Sequence, residues 1–203
     1  MRLILVRHGE PVQPRAAGEG NPPLAPAGHR QAAEVAACLR HEKINAIVHS
    51  GMHRAAETAA PLVAQSGAPV EIIEELGEID RWGGGYASLE AVKAQGPAEW
   101  DRFMADPLGY YGIDEHRFVG ETLAGLDRLF AGRQRQTLAV FTHGFPINII
   151  LREVLGTKGL ATFAPAYGSI TRLTGSTRAR LAVVSINETG HLARAPARAE
   201  AEA

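Results

Sequence analysis

The chain has 203 residues, 21 Lys and Arg against 22 Asp and Glu, and a formal net charge of −1. That balance excludes a general nucleic-acid binder, which carries a basic excess, and no apolar run approaches the ~20 residues of a membrane-spanning helix. The single cysteine, Cys38, excludes an intramolecular disulfide and a cysteine-rich zinc site, and residues 3–6 are too short for a signal-peptide core, so the cytoplasm is the expected compartment.

Residues 2–7 are a short apolar run that reads as a strand buried on both faces. It stops at His8-Gly9-Glu10, and a Pro- and Gly-rich loop follows to about residue 26. Residues 27–39 read as a helix with Ala33, Val35, Ala36 and Leu39 on its apolar stripe and Cys38 in the core. Residues 44–48 read as a second buried strand ending at His49-Ser50-Gly51, followed by a helix over 52–65. This strand–helix alternation predicts a mainly parallel sheet. Residues 70–73 suggest a third strand, and 76–85 an irregular stretch with three consecutive glycines. A mostly helical excursion is expected over about 86–119, then a helix over 120–130. A further buried strand, 137–142, ends at His143-Gly144 and precedes a helix over 147–155. Strands over 169–173 and 181–186 close the fold. The Ala-, Arg- and Glu-rich tail from residue 195 is expected to be disordered.

The expected architecture is one α/β domain over 1–194, a three-layer α/β/α arrangement with a mainly parallel central sheet and the excursion covering the site. In such sheets ligands bind beyond the carboxyl ends of the strands. Three strand ends here carry Arg7-His8-Gly9, Ser50 with Arg54 one helical turn later, and Thr142-His143-Gly144. Two arginines and two histidines would converge on one crevice, joined by helix N-termini, and a phosphoryl group is the ligand that suits them. His49 and His53 have a zinc-like spacing but no third ligand, and neither a dinucleotide fingerprint nor a Walker-type loop is present. No metal and no cofactor are expected.

These segments resemble a known family. Arg7-His8-Gly9-Glu10 after an N-terminal strand is similar to the signature of the histidine phosphatase superfamily, the phosphoglycerate mutase-like fold. Asn21 to Ala32 resembles its D-x-P-L-T-x-x-G-x-x-Q-A segment, with Asn21 in place of Asp and Ala25 in place of Thr. Ser50 to Ala59 resembles S-x-x-x-R-A-x-x-T-A. Leu76-Gly77-Glu78, Gly120-Glu121-Thr122 and Thr142-His143-Gly144 resemble its L-x-E, G-E-S/T and T/S-H-G. Phe145 stands where a second glycine is common. The basic groups that resemblance to the mutase branch would require after Glu10 and after Glu78 are missing, which favours hydrolysis.

The resemblance implies a metal-independent phosphomonoesterase of small phosphorylated metabolites. His8 is the expected nucleophile, forming a phosphohistidine. Arg7, Arg54 and His143 surround the phosphoryl oxygens, and Glu78 is the expected proton donor, with Glu75, Asp80 and Glu121 as alternatives. Gln13, Trp82, Tyr86 and Phe145, with Arg7 and Arg54, are the candidate substrate contacts. Rival readings are a cofactor-dependent phosphoglycerate mutase, a protein phosphohistidine phosphatase and an inactive phosphate-binding module. The expected partner is a small phosphate monoester, with no nucleic acid and no membrane, and a homodimer is left open.

Overall fold

The structure, a computed structural model, describes residues 1–13, 20–82 and 89–192, without the side chains of 89 and 90. The tail from residue 195 lies outside the described residues. Six strands form one sheet: β1 (Arg2–Arg7), β2 (Ala46–His49), β3 (Val70–Ile72), β4 (Thr137–Thr142), β5 (Ile170–Thr174) and β6 (Ala182–Glu188). Their order is β3-β2-β4-β1-β5-β6. The first four are parallel to one another, and β5 runs antiparallel to both β1 and β6. β4 is buried along its whole length and β1 along all but its first residue, which is why both read as continuous apolar runs. β3 is an edge strand, and its Val70 and Ile72 are 45% and 51% exposed.

Strand residues alternate between two cores, as the pleat dictates. Leu3, Leu5, Leu138 and Val140 pack with α5 (Glu115–Phe130) and α6 (Gly144–Leu155) on one face. Ile4, Val6, Ala139 and Phe141 pack with α1 (Pro26–Leu39) and α2 (His53–Ser66) on the other. The result is the expected three layers. The excursion is built from α3 (Leu89–Ala94), α4 (Pro97–Ala105) and a 3₁₀ turn at Gly109–Tyr111, and it packs through Leu108 onto Ile79, Phe118, Ile149 and Leu160. Among the described residues no helix is long and apolar enough to cross a membrane.

Three expectations need correction. Cys38 is exposed: the buried stripe of α1 is Gly28, Ala32, Val35, Ala36 and Leu39, which puts Ala33 and Cys38 off the sheet-facing side. α5 begins at Glu115, not 120, because Asp114 caps it by accepting a hydrogen bond from the Arg117 N–H at 2.6 Å, and Gly120 is carried inside the helix. α6 begins at Gly144, not 147. Pro146 lies in its first turn, where a missing N–H costs nothing.

Candidate active site

β1 and β4 are neighbours, with Arg7 opposite Thr142 in the ladder, and the His8 N–H donates to the Thr142 carbonyl at 3.0 Å. The two residues after these strands are therefore side by side, and the His8 and His143 rings lie 5.0 Å apart between centroids. β2 flanks β4 on its other side and delivers Ser50, whose hydroxyl is 2.7 Å from His143 Nε2. Gly51, at φ +83°, turns the chain from β2 into α2. Arg54 then sits in the first turn of α2, fully buried.

The end of β1 is pressed against the start of α1. A Cβ on Gly9 would lie 2.6 Å from the Gly28 carbonyl oxygen, and one on Gly28 would lie 2.1 Å from that of Glu10. Only glycines allow this approach. The Gly9 N–H also donates to Thr58 Oγ1 of α2 at 2.9 Å. Gly9, the residue after His8, is thereby in contact with both neighbouring helices.

His8 Nδ1 lies 2.7 Å from the Gly9 carbonyl oxygen, an acceptor, so Nδ1 carries the ring proton and Nε2 carries the lone pair. Arg54 Nε donates to His8 Nε2 at 3.2 Å. Burial first, then the charges of Arg54 and Arg7, pulls His8 well below the ordinary imidazole value, against the opposing Gly9 hydrogen bond. His143 is also lowered, by burial and then by Arg54, His8 and Arg7. Both rings are neutral near pH 7.

Arg7 spans the cleft: it donates to the Pro165 carbonyl, and its guanidinium carbon stands 4.0 Å from the centroid of the Tyr167 ring. Its Nε and His143 Nδ1 are buried without hydrogen-bond partners among the described residues. Arg54 makes a two-pronged ion pair with Asp80, at 3.0 Å and 2.7 Å. Asp80 Oδ2 also accepts from the Asn21 N–H at 2.7 Å, and the Asn21 side chain accepts from the His53 N–H at 2.8 Å. Asn21 thus ties the first loop to the start of α2. Ala25, at the start of α1, makes no side-chain cap.

Glu78 is buried beneath the N-terminus of α6. Its Oε2 accepts from the Phe145 N–H at 3.2 Å, and its Oε1 from the Ile79 N–H at 3.1 Å. A Cβ on Gly144 would lie 3.8 Å from Glu78 Oε2 and 3.9 Å from Arg7 Nε, so the carboxyl and the guanidinium face the same point. Burial pushes Glu78 up to about 7; the Asp80 charge adds to this, while Arg54 and the two backbone N–H groups oppose it. The other acids are committed elsewhere. Asp80 is on Arg54, Glu75 on Arg128, and Glu121 on Arg81 and Arg117.

Arg7, His8, Glu78 and Phe145 line one narrow cavity of about 60 Å³ with Ile79, Phe103, Tyr111, Leu160 and Phe163. Arg54 and His143 adjoin it through His8. Gln13 is exposed and is not brought into this cavity. Trp82 lines a neighbouring open depression with Ser50, Asp80 and Arg81, its ring edge-on to Phe118 and flanked by Arg81 and Arg117. Tyr86 lies outside the described residues. Sequence reasoning missed Tyr167 and Asn148, which sit on a loop and inside a helix with no motif around them. It also missed the role of Asp80 as the partner of Arg54.

The family model of the histidine phosphatase superfamily (branch 1) matches residues 3–189. The chain is 31% identical over 167 residues to the bifunctional protein Rv2228c of Mycobacterium tuberculosis, covering 76% of this chain and 44% of that protein. It thus spans less than half the length of these mycobacterial relatives. It is 27% identical over 161 residues to the adenosylcobalamin/alpha-ribazole phosphatase of Salmonella typhimurium, covering 76% of this chain and 80% of that one. Among solved structures, Bacillus stearothermophilus YhfR superposes with a TM-score of 0.75 at 21% identity, covering 94% of this chain and 98% of that one.

Proposed function

The chain belongs to branch 1 of the histidine phosphatase superfamily, and on that footing we propose that it is a phosphomonoester hydrolase working through a phosphohistidine on small phosphorylated metabolites. The observation that carries this reading is the His8 ring: its proton is fixed on Nδ1 by the Gly9 carbonyl, and its Nε2 lone pair accepts from Arg54 Nε. A neutral imidazole keeps that lone pair unprotonated, and it is available to attack phosphorus once a phosphoryl oxygen takes over the Arg54 hydrogen bond.

In the first step the Nε2 lone pair of His8 attacks phosphorus and the ester P–O bond breaks. Arg7, Arg54 and His143 hold the equatorial oxygens, and most of the rate gain is electrostatic. The unpartnered Arg7 Nε has a hydrogen to give to such an anion, and so does His143 Nδ1 when Nε2 accepts from the Ser50 hydroxyl. Glu78, protonated up to about pH 7, passes its proton to the departing alkoxide. In the second step the same carboxylate takes a proton from water, whose oxygen attacks the phosphohistidine. Phosphate leaves and His8 regains its lone pair.

The absence of further cations among the described residues lining the cavity favours hydrolysis over mutase action, because a mutase must retain a doubly phosphorylated intermediate. The cytoplasm is the compartment we assign. The test is rapid acid quench with ³²P-labelled monoester: an acid-labile, base-stable phosphoenzyme is expected. Its absence during turnover would sink the reading.

A further inference from the structure

The side of the cavity away from Arg7 and His8 is built from Ile79, Phe103, Tyr111, Phe145, Leu160 and Phe163. The rings form one packed wall: Phe103 lies 6.1 Å from Tyr111 and 6.5 Å from Phe145, and Phe118 supports Phe145 from behind at 6.4 Å. Four separate segments supply it, the turn after Glu78, the excursion, the start of α6 and the loop after α6. The wall is therefore built by the tertiary fold rather than by a chance run of apolar sequence.

The one side-chain amide that lines the cavity is largely committed within the protein. Asn148 donates from its amide to the carbonyls of Gly144 and Phe163, both at 3.0 Å, and accepts from the Phe163 N–H at 2.8 Å. It pins the loop carrying Phe163 and Pro165 to α6, and with both amide hydrogens spent it keeps one acceptor lone pair and no donor for a substrate. Arg7 is the one cation among the described lining residues, and it faces the phosphoryl end. Among the lining residues, the Tyr111 hydroxyl is the one side-chain hydrogen-bonding group that the wall itself offers.

Resting on the hydrolase reading above, we infer that the alcohol half of the substrate is uncharged and largely apolar, an aryl, arylalkyl or compact hydrocarbon group bearing at most one hydrogen-bonding atom. Among the described lining residues, a carboxylate or a second phosphate here would lose its water with no cation beyond Arg7 to meet it, and a sugar would bury more hydroxyls than Tyr111 and Asn148 can partner. An apolar group gains by leaving water and packing on the rings. Glu78 adds to the discrimination, because a second anion on the substrate would meet its carboxylate after proton transfer.

Benzyl phosphate, 3-phosphoglycerate and glucose 6-phosphate are all monoesters of primary alcohols, so the chemistry at phosphorus is matched while the alcohol is apolar, anionic or polyhydroxylated. With the full chain, kcat/KM for benzyl phosphate should exceed that for each of the others by at least tenfold. Ala161, which also lines the cavity and is partly exposed, offers a place for a cation. Ala161→Arg should narrow the gap between benzyl phosphate and 3-phosphoglycerate about tenfold, mainly through KM. Comparable turnover of all three by the unaltered chain would overturn the apolar class and leave the hydrolase reading intact. Failure to turn over any of them, with no phosphoenzyme, would overturn both. The unaltered chain alone decides the matter if Ala161→Arg does not fold.

Discussion

Arg54 and Asp80 face each other as a two-pronged ion pair with both side chains wholly out of water, at 2.7 Å between Nη2 and Oδ1. Arg54 reaches His8 through its third nitrogen, Nε. The carboxylate thus fixes the fork of the guanidinium and leaves its inner edge toward the nucleophile. Breaking such a pair strands a buried charge, which costs about 3–5 kcal/mol.

Asp80→Asn should therefore lower stability by roughly 3 kcal/mol in urea denaturation. It should also move the alkaline limb of the rate profile for alkyl phosphates to lower pH. The Asp80 charge raises Glu78 and the Arg54 charge lowers it, so removing the first leaves the second unopposed. A destabilised enzyme with an unmoved limb would make Asp80 a packing element only.

His8→Ala should abolish turnover and phosphoenzyme formation while the far-ultraviolet dichroism stays unchanged. His143→Ala, which removes one donor to the phosphoryl oxygens, should cost about 10²–10³ in kcat. Both assays belong in buffer with EDTA, where the parent enzyme should keep its activity, and orthovanadate should inhibit it. Loss of activity on chelation, restored by a divalent ion, would mean a different source of positive charge.

Glu78→Gln should slow alkyl phosphates by about 10²–10⁴, the usual worth of a general acid, and slow the phosphorylation step of 4-nitrophenyl phosphate far less. The phosphoenzyme should then accumulate with the activated ester, because the water-activating base is gone. In the parent, the alkyl rate should fall as pH rises through about 7, where Glu78 loses its proton. Equal slowing of both esters without accumulation would return the acid role to Glu75, Asp80 or Glu121.

Glu78 also makes a prediction about stability. Its folded value, about 7, lies above the ordinary 4.5. The folded state therefore holds more protons than the unfolded one between these values, so stability falls as pH rises across that window. The difference of about 2.5 units corresponds to about 3 kcal/mol. Glu78→Gln should leave Tm near the parent's at pH 4.5 and raise it at pH 8. A parent Tm that does not fall across this range relative to Glu78→Gln would contradict the raised value.

Strand ends were legible because the signal is local: an apolar run stopping at Arg-His-Gly or Thr-His-Gly needs no knowledge of what lies beside it. Sheet order was not, since the placing of β4 between β1 and β2 depends on pairings more than 90 residues apart. Helix starts failed where a side chain decides the boundary, as with the Asp114 cap, or where Pro146 read as a barrier although it falls in a first turn. Cys38 was misplaced because one step along a helix turns a side chain by about 100°, and small residues on α1 leave the stripe's phase ambiguous. The Arg54–Asp80 pair joins a helix to an irregular turn, and no spacing rule connects those two.

The adjacency of β1 and β4 has one more consequence. The interval between His8 and His143 is set by backbone hydrogen bonds, through the Arg7–Thr142 register and the bond from the His8 N–H to the Thr142 carbonyl. The sheet acts as a fixed gauge between the two imidazoles, with a unit of about 4.8 Å. Side-chain repacking in either core layer can tilt a ring but cannot change that gauge. Adjustment of this site's shape is thereby left to the excursion and the loops, where geometry can change without disturbing the nucleophile.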